Sequence, residues 1–320
     1  MIPQRGRSRG LTGAALGGVA FALVLPLVAG TYYVRVVTGI FMFAMLASGW
    51  NLIGGYTGYP DFGAAAFIGI GAYATGILML HAHIAFALAL LAGGALSVGA
   101  AAGMGSVLLR LRGHYFAVAT LGFMIVLEQL AANLEITGGG SGMNLPVATS
   151  FTTFYYWMLS GLVAAMAAGW ALPRLRAGYA IAAIRENQDA ARVLGIPPLP
   201  YKVLAYAGSA FFFGIGGGIY AYWFTFIDPP TVFNVDFTIQ AIVMTLFGGP
   251  GTALGPLVGA VILKSLDVIL TNVSVFFHNV FFGALVCLLV IFAPRGLAEL
   301  LRTRGGLVEA IRTELRENRL

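Results

Sequence analysis

The side chains in this sequence that are best suited to chemistry are three ionisable groups inside long apolar segments. They are Glu128, Lys264 and Asp267, and their neighbours along the chain are mainly apolar. A charge surrounded by apolar solvent is costly, so such groups usually face a bundle interior or a water-filled path. Lys264 and Asp267 are three residues apart, which lets them pair on one helix face. Glu128 and Asp267 are also the groups that could carry a proton relay.

Motifs of enzyme active sites do not accompany these groups. The chain has no G-x-x-x-x-G-K-[ST] phosphate-binding loop and no H-E-x-x-H zinc motif. Cys287 is the only cysteine, which excludes an intrachain disulfide and a thiolate metal cluster. The histidines lie near the ends of apolar segments, where we expect contact with water or lipid headgroups: His81, His83, His114 and His278. We therefore expect a protein that is not an enzyme and holds no cofactor of its own; a membrane-embedded enzyme is the disfavoured alternative.

The composition indicates whether the folded chain is surrounded by water or by lipid. Of the 320 residues, 59% are hydrophobic and 9% are charged, and the mean hydropathy is +0.89. Soluble domains carry about 25% charged residues, so this chain has too few charges to cover a water-exposed surface. We predict an all-α polytopic membrane protein. Its net charge of +6 then reflects membrane topology and not nucleic-acid binding.

Ten segments approach the length of about 20 mostly apolar residues that a spanning helix needs. Their bounds are 11–29, 33–53, 62–80, 84–109, 114–134, 152–173, 201–225, 237–248, 253–271 and 275–293. Residues 237–248 are few for a crossing and are followed by the breaker sequence GGPG. This region therefore forms either two passes or a re-entrant hairpin. We expect about 8–10 transmembrane helices with discontinuous or re-entrant segments.

The distribution of basic residues sets the orientation. With the N-terminus in the cytoplasm, only Arg35 falls outside and only Lys264 lies within a helix. The other 16 of the 18 Lys and Arg residues are then cytoplasmic. The first apolar segment follows Arg5, Arg7 and Arg9 and is too long for the core of a cleaved signal peptide, so we expect it to remain as a helix.

This orientation predicts a simple organisation. Residues 1–300 form the membrane domain, which includes a cytoplasmic loop at 174–200, and residues 301–320 form a cytoplasmic tail. Both termini are cytoplasmic.

The cytoplasmic loop contains a predicted amphipathic helix over residues 181–195. Its apolar anchors are Ile181, Ile184 and Leu194, and its polar face consists of Arg185, Glu186, Asp189 and Arg192. The sequence Asp189-Ala190-Ala191, followed after three residues by Gly195, forms an acidic–Ala–Ala–x–x–x–Gly pattern. Gly195 suits the left-handed position that ends a helix. Such a helix either docks in a groove on another protein or simply joins two spans.

Several sequence blocks, in order along the chain, resemble the branched-chain amino acid permeases of ATP-binding-cassette importers, of the LivM type. The acidic–Ala–Ala–x–x–x–Gly pattern is similar to the loop by which such permeases contact their ATPase. The other blocks are NLIGGYTGYPDFGAAAFIGIGAY at 51–73, LRLRGHYFAVATLGF at 109–123, TGGGSG at 137–142, LFGGPGTALGPLVGAVIL at 246–263 and APRGL at 293–297.

The resemblance implies partners and a location. A permease of this kind lies in the bacterial inner membrane and pairs with a sister permease subunit. Two cytoplasmic ATPase subunits carry ATP and Mg²⁺, and a periplasmic binding protein delivers the substrate. The residues expected to contact the ATPase are Arg185, Glu186, Asp189, Ala190, Ala191 and Gly195.

Two further sets of residues are expected to take part in transport. The expected translocation path includes Asn51, Tyr56, Asp61 and Glu128, although Asp61 could instead cap a helix after the break at 56–60. The expected docking surface for the binding protein is the loop at 226–237, with Asp228, Phe233 and Asp236. That loop could instead be a lid packed against the bundle.

Two alternatives remain open for the function. One is a related importer for urea or a short amide. The other belongs to a different class, a proton-coupled secondary transporter that needs no ATPase and relies on Glu128 or Asp267.

Overall fold

The computed structural model describes residues 8–146, 151–273 and 283–284. Within these ranges the chain is almost entirely helical. The helices are α1 (Ser8–Val28), α2 (Thr31–Trp50), α3 (Ala65–Leu80), α4 (Phe86–Leu108), α5 (His114–Asn133), α6 (Phe151–Ala171), α7 (Arg176–Glu186), α8 (Gln188–Val193), α9 (Pro198–Phe224), α10 (Pro229–Val232), α11 (Val235–Gly248) and α12 (Gly255–Val273). One π-helical turn, Asn51–Gly55, continues α2. Two short strands, β1 (Met143–Asn144) and β2 (Phe226–Ile227), pair in antiparallel fashion.

Six helical segments in the described part of the chain are long and apolar enough to cross a membrane. They are Thr31–Gly55, Phe86–Leu108, His114–Asn133, Phe151–Arg174, Pro198–Phe224 and Pro229–Gly248, and Ala65–Leu80 is a shorter apolar helix. The prediction of an all-α polytopic membrane protein is confirmed. The predicted segment 275–293, apart from residues 283 and 284, and the tail at 301–320 lie outside the described residues.

Contacts along α2 fix the directions of its neighbours. Phe43 stacks on Phe237, and further along both helices the Thr245 hydroxyl donates to the Ala47 carbonyl at 2.9 Å, so α11 runs parallel to α2. Helix α9 packs on α2 in the opposite sense, because early α9 residues meet the end of α2 and later ones meet its middle. These directions agree with the predicted alternation of passes.

Glycines allow α3, α4 and α9 to pack backbone against backbone. A Cβ atom at Gly71 would overlap the Gly214 carbonyl, and one at Gly217 would overlap the Ile68 carbonyl. The α4 residue Ser97 lies against Gly214 from the other side. Small residues permit such close approach in lipid, where packing and not water exclusion drives helix association. These helices form the centre of the core.

The hairpin of α11 and α12 decides between the two interpretations of residues 237–271. Helix α11 begins next to the paired strands and α10, and the turn after it lies beside the side chain of Arg185 in α7. The segment Pro229–Gly248 therefore extends from one end of the bundle to the other. This geometry favours a full pass over a re-entrant hairpin.

Candidate functional site

The predicted helix over 181–195 is two helices, α7 and α8, which meet at Asn187. The backbone of Asn187 is extended (φ −156°, ψ 110°), and its side-chain oxygen accepts hydrogen bonds from the amides of Asp189 and Ala190, both at 3.0 Å. Asparagine is a preferred N-cap because its side chain satisfies amides that the first helical turn leaves unpaired. The prediction of a single helix was therefore wrong, since Asn187 starts a second helix in a new direction.

The end of α8 has the geometry that the sequence predicted. Gly195 is left-handed, with φ of 80°. Its amide donates to Arg192 O at 2.9 Å, and the amide of Ile196 donates to Ala191 O at 3.0 Å. This pair of bonds is the Schellman arrangement, which closes a helix at a left-handed glycine. Pro198 then begins α9 at a position where its missing amide hydrogen costs nothing.

The apolar side chains of the loop divide into anchors and an exposed tip. Ile181 and Ile184 are buried, as predicted. Leu194 was predicted to be a third anchor, but the structure leaves it 77% exposed, next to Val193 at 88%. The break at Asn187 explains the difference, because α8 does not continue the buried face of α7. We call Val193 and Leu194 the apolar tip.

Charged residues fasten α7 and α8 to the bundle. Arg185 Nη1 donates to the Gly55 carbonyl at 2.6 Å, at the end of the π-turn. The Asp189 carboxylate accepts two hydrogen bonds from Arg112, at 2.9 and 3.2 Å, and one from Arg192 at 3.2 Å. The Arg112 guanidinium holds the pKa of Asp189 below its usual value, and the carboxylate in turn raises the pKa of Arg112. Because these side chains are largely exposed, the pair orients α8 more than it stabilises the fold.

Lys202 is a buried cation that the sequence analysis counted only as a cytoplasmic charge. Its side chain is 2% exposed, and Nζ donates to Leu109 O at 2.7 Å, Tyr59 Oη at 2.8 Å and Gln188 Oε1 at 3.2 Å. Tyr59 Oη donates in turn to Gln188 Oε1 at 2.7 Å, and burial raises the pKa of this tyrosine. Lys202 therefore ties α8 to α9 and to the end of α4.

A cleft of about 250 Å³ opens between the α7–α8 junction and the loops before α3 and before α5. Its lining consists of residues 57–60, 112–113 and 184–188. Of the remaining predicted contact residues, Glu186 and Ala190 are exposed, whereas Ala191 is buried.

The residues expected in the translocation path do not converge. Asn51 is buried and holds the turn after α11: Nδ2 donates to Thr252 O at 2.9 Å, and Oδ1 accepts from Gly251 N at 2.8 Å. Tyr56 donates its hydroxyl to Gly169 O at 2.7 Å. Both side chains thus make contacts that hold helices together in this conformation.

Asp61 and Glu128 occupy different surroundings. Asp61 is fully buried, and its Oδ1 accepts the Gly63 amide at 2.9 Å just before α3 begins. This bond closes a turn before the helix; the N-cap of α3 is Ala64, without a side-chain cap hydrogen bond, so Asp61 does not cap α3 as the alternative expected. Glu128 lies half-buried near the end of α5.

The two loops at the opposite end of the bundle are joined by the pairing of β1 with β2. Phe233 is buried and stacks on Tyr73, with ring centroids 6.3 Å apart. A docking partner would not reach this ring in the present conformation, which favours the lid alternative for Phe233. Asp228 is half-buried, and Asp236 is exposed in the first turn of α11.

The expected pair within α12 forms. Lys264 Nζ lies 2.5 Å from Asp267 Oδ2, and the same ammonium lies 4.4 Å from the ring centroid of Phe43. An aromatic face attracts a cation through its quadrupole. The pair is part of the interface between α12, α11 and α2.

Comparison with known proteins gives consistent matches. The family described as "Branched-chain amino acid transport system / permease component" matches residues 32–293. The LivM permease protein of a high-affinity branched-chain amino acid transport system from Salmonella typhimurium is 27% identical, over 89% of this chain and 74% of its own length. The protein of the same name from Escherichia coli K12 has the same values. The L-arabinose ABC transporter permease protein AraH of Azospirillum brasilense is 27% identical over 63% of this chain and 62% of its own length.

No solved structure matches the chain. The matched proteins are permease subunits, so the prediction of a transport subunit that is not an enzyme is confirmed. With six apolar helices of spanning length in its described part, the chain is a multi-pass membrane protein. It belongs to the family of branched-chain amino acid transport system permease components.

Proposed function

We propose that this chain is the permease subunit of an ATP-binding-cassette importer that carries branched-chain or similar amino acids into the cytoplasm. The relatives that match most of the chain bear branched-chain amino acid names, whereas the arabinose permease matches a smaller part. The amino acid substrate is itself part of the proposal, because permeases named for L-arabinose and for autoinducer 2 also match this chain in sequence.

The observation that carries this proposal is the fastened loop with its apolar tip. Arg185, Asp189 and Gln188 each connect the loop to a different part of the bundle. Val193 and Leu194 nevertheless remain exposed beyond these anchors. A loop that is hydrogen-bonded to the bundle and ends in exposed apolar side chains is suited to transmit the motion of a docked partner to the transmembrane helices.

We assign the partners accordingly. Two cytoplasmic ATPase subunits, which bind ATP and Mg²⁺, dock at α8, and a sister permease subunit pairs with this chain in the bacterial inner membrane. Both termini are cytoplasmic. A periplasmic binding protein docks at the end that carries β1 and β2, where Asp236 is exposed to pair with basic groups on its surface.

The test replaces one side chain of the apolar tip. Leu194→Asp places a carboxylate where an apolar contact with the ATPase is expected. The variant should insert in normal amounts but retain less than a tenth of the ATPase subunit during purification in mild detergent, and uptake of L-leucine by cells should fall in parallel.

The matched control is Leu175→Asp, at a half-exposed position in the same loop. Leu175 precedes α7 as its N-cap residue, a position that accepts aspartate well. Normal ATPase retention is expected for it. The coupling role is wrong if Leu194→Asp keeps the ATPase subunit and transports as the unmodified protein does.

A further inference from the structure

The ion pair of α12 lies well inside its helix. Lys264 is nine residues after the first residue of α12, Gly255, so about 14 Å of helix separates it from that end at about 1.5 Å per residue. Substrate sites in many transporters lie at this depth, near the midplane of the bilayer. Ionisable groups at such depth are costly and usually serve a function.

The packing of α11 against α12 identifies the residues at the same level. A Cβ atom at Gly255 would approach Gly248 O, and one at Gly259 would overlap Met244 O. Continuing this antiparallel register by one turn brings Gln240 opposite residue 263 or 264. Phe237, one turn earlier in α11, then faces residue 266 or 267.

Three helices therefore contribute to one cluster. Lys264 and Asp267 supply the charges, and Phe43 of α2 lies under the ammonium and stacks on Phe237, with ring centroids 6.0 Å apart. The side-chain oxygen of Gln240 is buried without a hydrogen-bond partner among the described residues. The cluster thus combines both signs of charge, two aromatic faces and an amide.

The charged pair is not sealed inside the subunit. The side chain of Lys264 is 19% exposed and that of Asp267 is 9% exposed. Val261 and Ile262, the residues before the pair, face outward. Lys264 therefore lies at the border between the side of α12 that packs on α2 and α11 and the side that carries Val261 and Ile262.

We propose that Lys264 and Asp267, with Phe43 and Gln240 beside them, form a binding site within the membrane for the two charged ends of a zwitterionic amino acid. The ligand carboxylate takes the place of Asp267 at the Lys264 ammonium, and the ligand ammonium binds the Asp267 carboxylate. An apolar ligand side chain rests on Phe43 and Phe237. The proposal rests on the proposed transport of amino acids.

Charge balance supports this exchange. The protein pair is neutral, and so is the zwitterion, so the site stays neutral before and after binding. Every charge keeps an opposite partner, which avoids the large penalty of an isolated charge in an apolar medium. A sugar has no charged ends and gains nothing from opening the pair.

The experiment measures equilibrium binding to the purified full-length chain in lipid nanodiscs. The ligands are L-leucine, L-leucinamide, which lacks the carboxylate, 2-hydroxy-4-methylpentanoate, which lacks the ammonium group, and L-arabinose. The unmodified chain should bind L-leucine at least tenfold more tightly than the other three.

Two variants test the ends of the ligand separately. Lys264→Met should remove the preference for L-leucine over L-leucinamide, and Asp267→Asn should remove the preference over the hydroxy acid. The exchanged variant, Lys264→Asp with Asp267→Lys, preserves an ion pair and should keep the melting temperature. It should nevertheless bind L-leucine at least tenfold more weakly than the unmodified chain. The charged ends of the ligand would have to exchange places, which reverses the orientation of the ligand relative to Phe43.

Three results would overturn the site: an unmodified chain that binds all four ligands alike, single variants that weaken all of them equally, or an exchanged variant that binds L-leucine normally. Retention of the ATPase subunit, measured on the same preparations, separates the two proposals. If the subunit is retained while ligand preference is missing, the site is wrong and the importer assignment stands. If the subunit is not retained, the importer assignment is wrong.

Discussion

At the scale of single residues, Asn51 makes the side-chain hydrogen bonds that span the longest stretch of sequence among the described residues. Its amide pairs with both a donor and an acceptor of the turn that links α11 to α12. A backbone group that is buried without a partner costs about as much as a lost hydrogen bond. The amide is matched to this task because it donates and accepts at once.

Asn51→Ala should lower the thermal stability of the protein. The substitution leaves the Gly251 amide and the Thr252 carbonyl without their partner, at a cost of about 1–3 kcal/mol for each unsatisfied group. A fall of several degrees in the melting temperature of the purified chain would be the expected signal. Asn133→Ala is the control, because it removes an exposed side-chain hydrogen bond to Gln129 and should have little effect. Equal melting temperatures for the two variants would contradict the role of Asn51.

The sequence allowed some residue roles to be predicted and not others. The turn at Gly195, the burial of Ile181 and Ile184 and the pairing of Lys264 with Asp267 depend on residues that are close in sequence, so local patterns were sufficient. Lys202 was missed because its partner Tyr59 is 143 residues away. No local pattern distinguishes it from a cation that simply lies at the membrane surface.

At the scale of helices, the contact of α11 with α12 depends on glycines. Gly251, in the turn, is left-handed with φ of 77°, whereas Gly255 and Gly259 lie against the backbone of α11. A four-residue spacing of glycines is typical of close helix contact in lipid, either within one chain or between subunits. The structure places Gly255 and Gly259 in packing within the chain.

Gly259→Ala should separate α11 from α12 and destabilise the protein by about 1–3 kcal/mol, the usual cost of overpacking. Its new methyl group would overlap Met244 O, which is backbone and cannot rotate away. Gly99→Ala, in the exposed middle of α4 with no atom within 4 Å, is the matched control and should not destabilise. Melting temperatures of the two variants in the same detergent provide the measurement, and a stable Gly259→Ala protein would refute the packing argument.

Helix positions were largely predictable, because apolar length and glycine or proline breaks determine them. The predicted segments 84–109 and 114–134 differ from α4 and α5 by a few residues at most. The π-turn at Asn51–Gly55 was not predictable, because Asn51 contacts the distant α11–α12 turn. The break at Asn187 was missed although it has a local signal, since asparagine is a preferred N-cap residue.

At the scale of the whole molecule, the two ends of the bundle differ in construction. One end carries α7, α8 and the charged residues that fasten them. The other carries the paired strands, which join the loop before α6 to the loop after α9. The helix directions place these ends on opposite sides of the spans.

Cysteines at Ser141 and Asn187 test this arrangement. Both residues are exposed, at the strand end and at the α7–α8 end respectively. With Cys287 first replaced, a membrane-impermeant maleimide should label one position in intact cells and the other only after the membrane is opened. Labelling of both positions in intact cells would overturn the count of passes between them.

The hydrogen bonds made by the Asn51 side chain can form only late in biosynthesis. Its partner Gly251 is 200 residues further along the chain. At about 5–20 residues per second, translation needs about 10–40 s to reach the turn after Asn51 has been made. During that interval the side-chain amide of Asn51 lacks its hydrogen-bond partners, and the end of α2 is not held by the α11–α12 turn. A chain whose synthesis stops before residue 251 therefore lacks the hydrogen bonds that hold the end of α2.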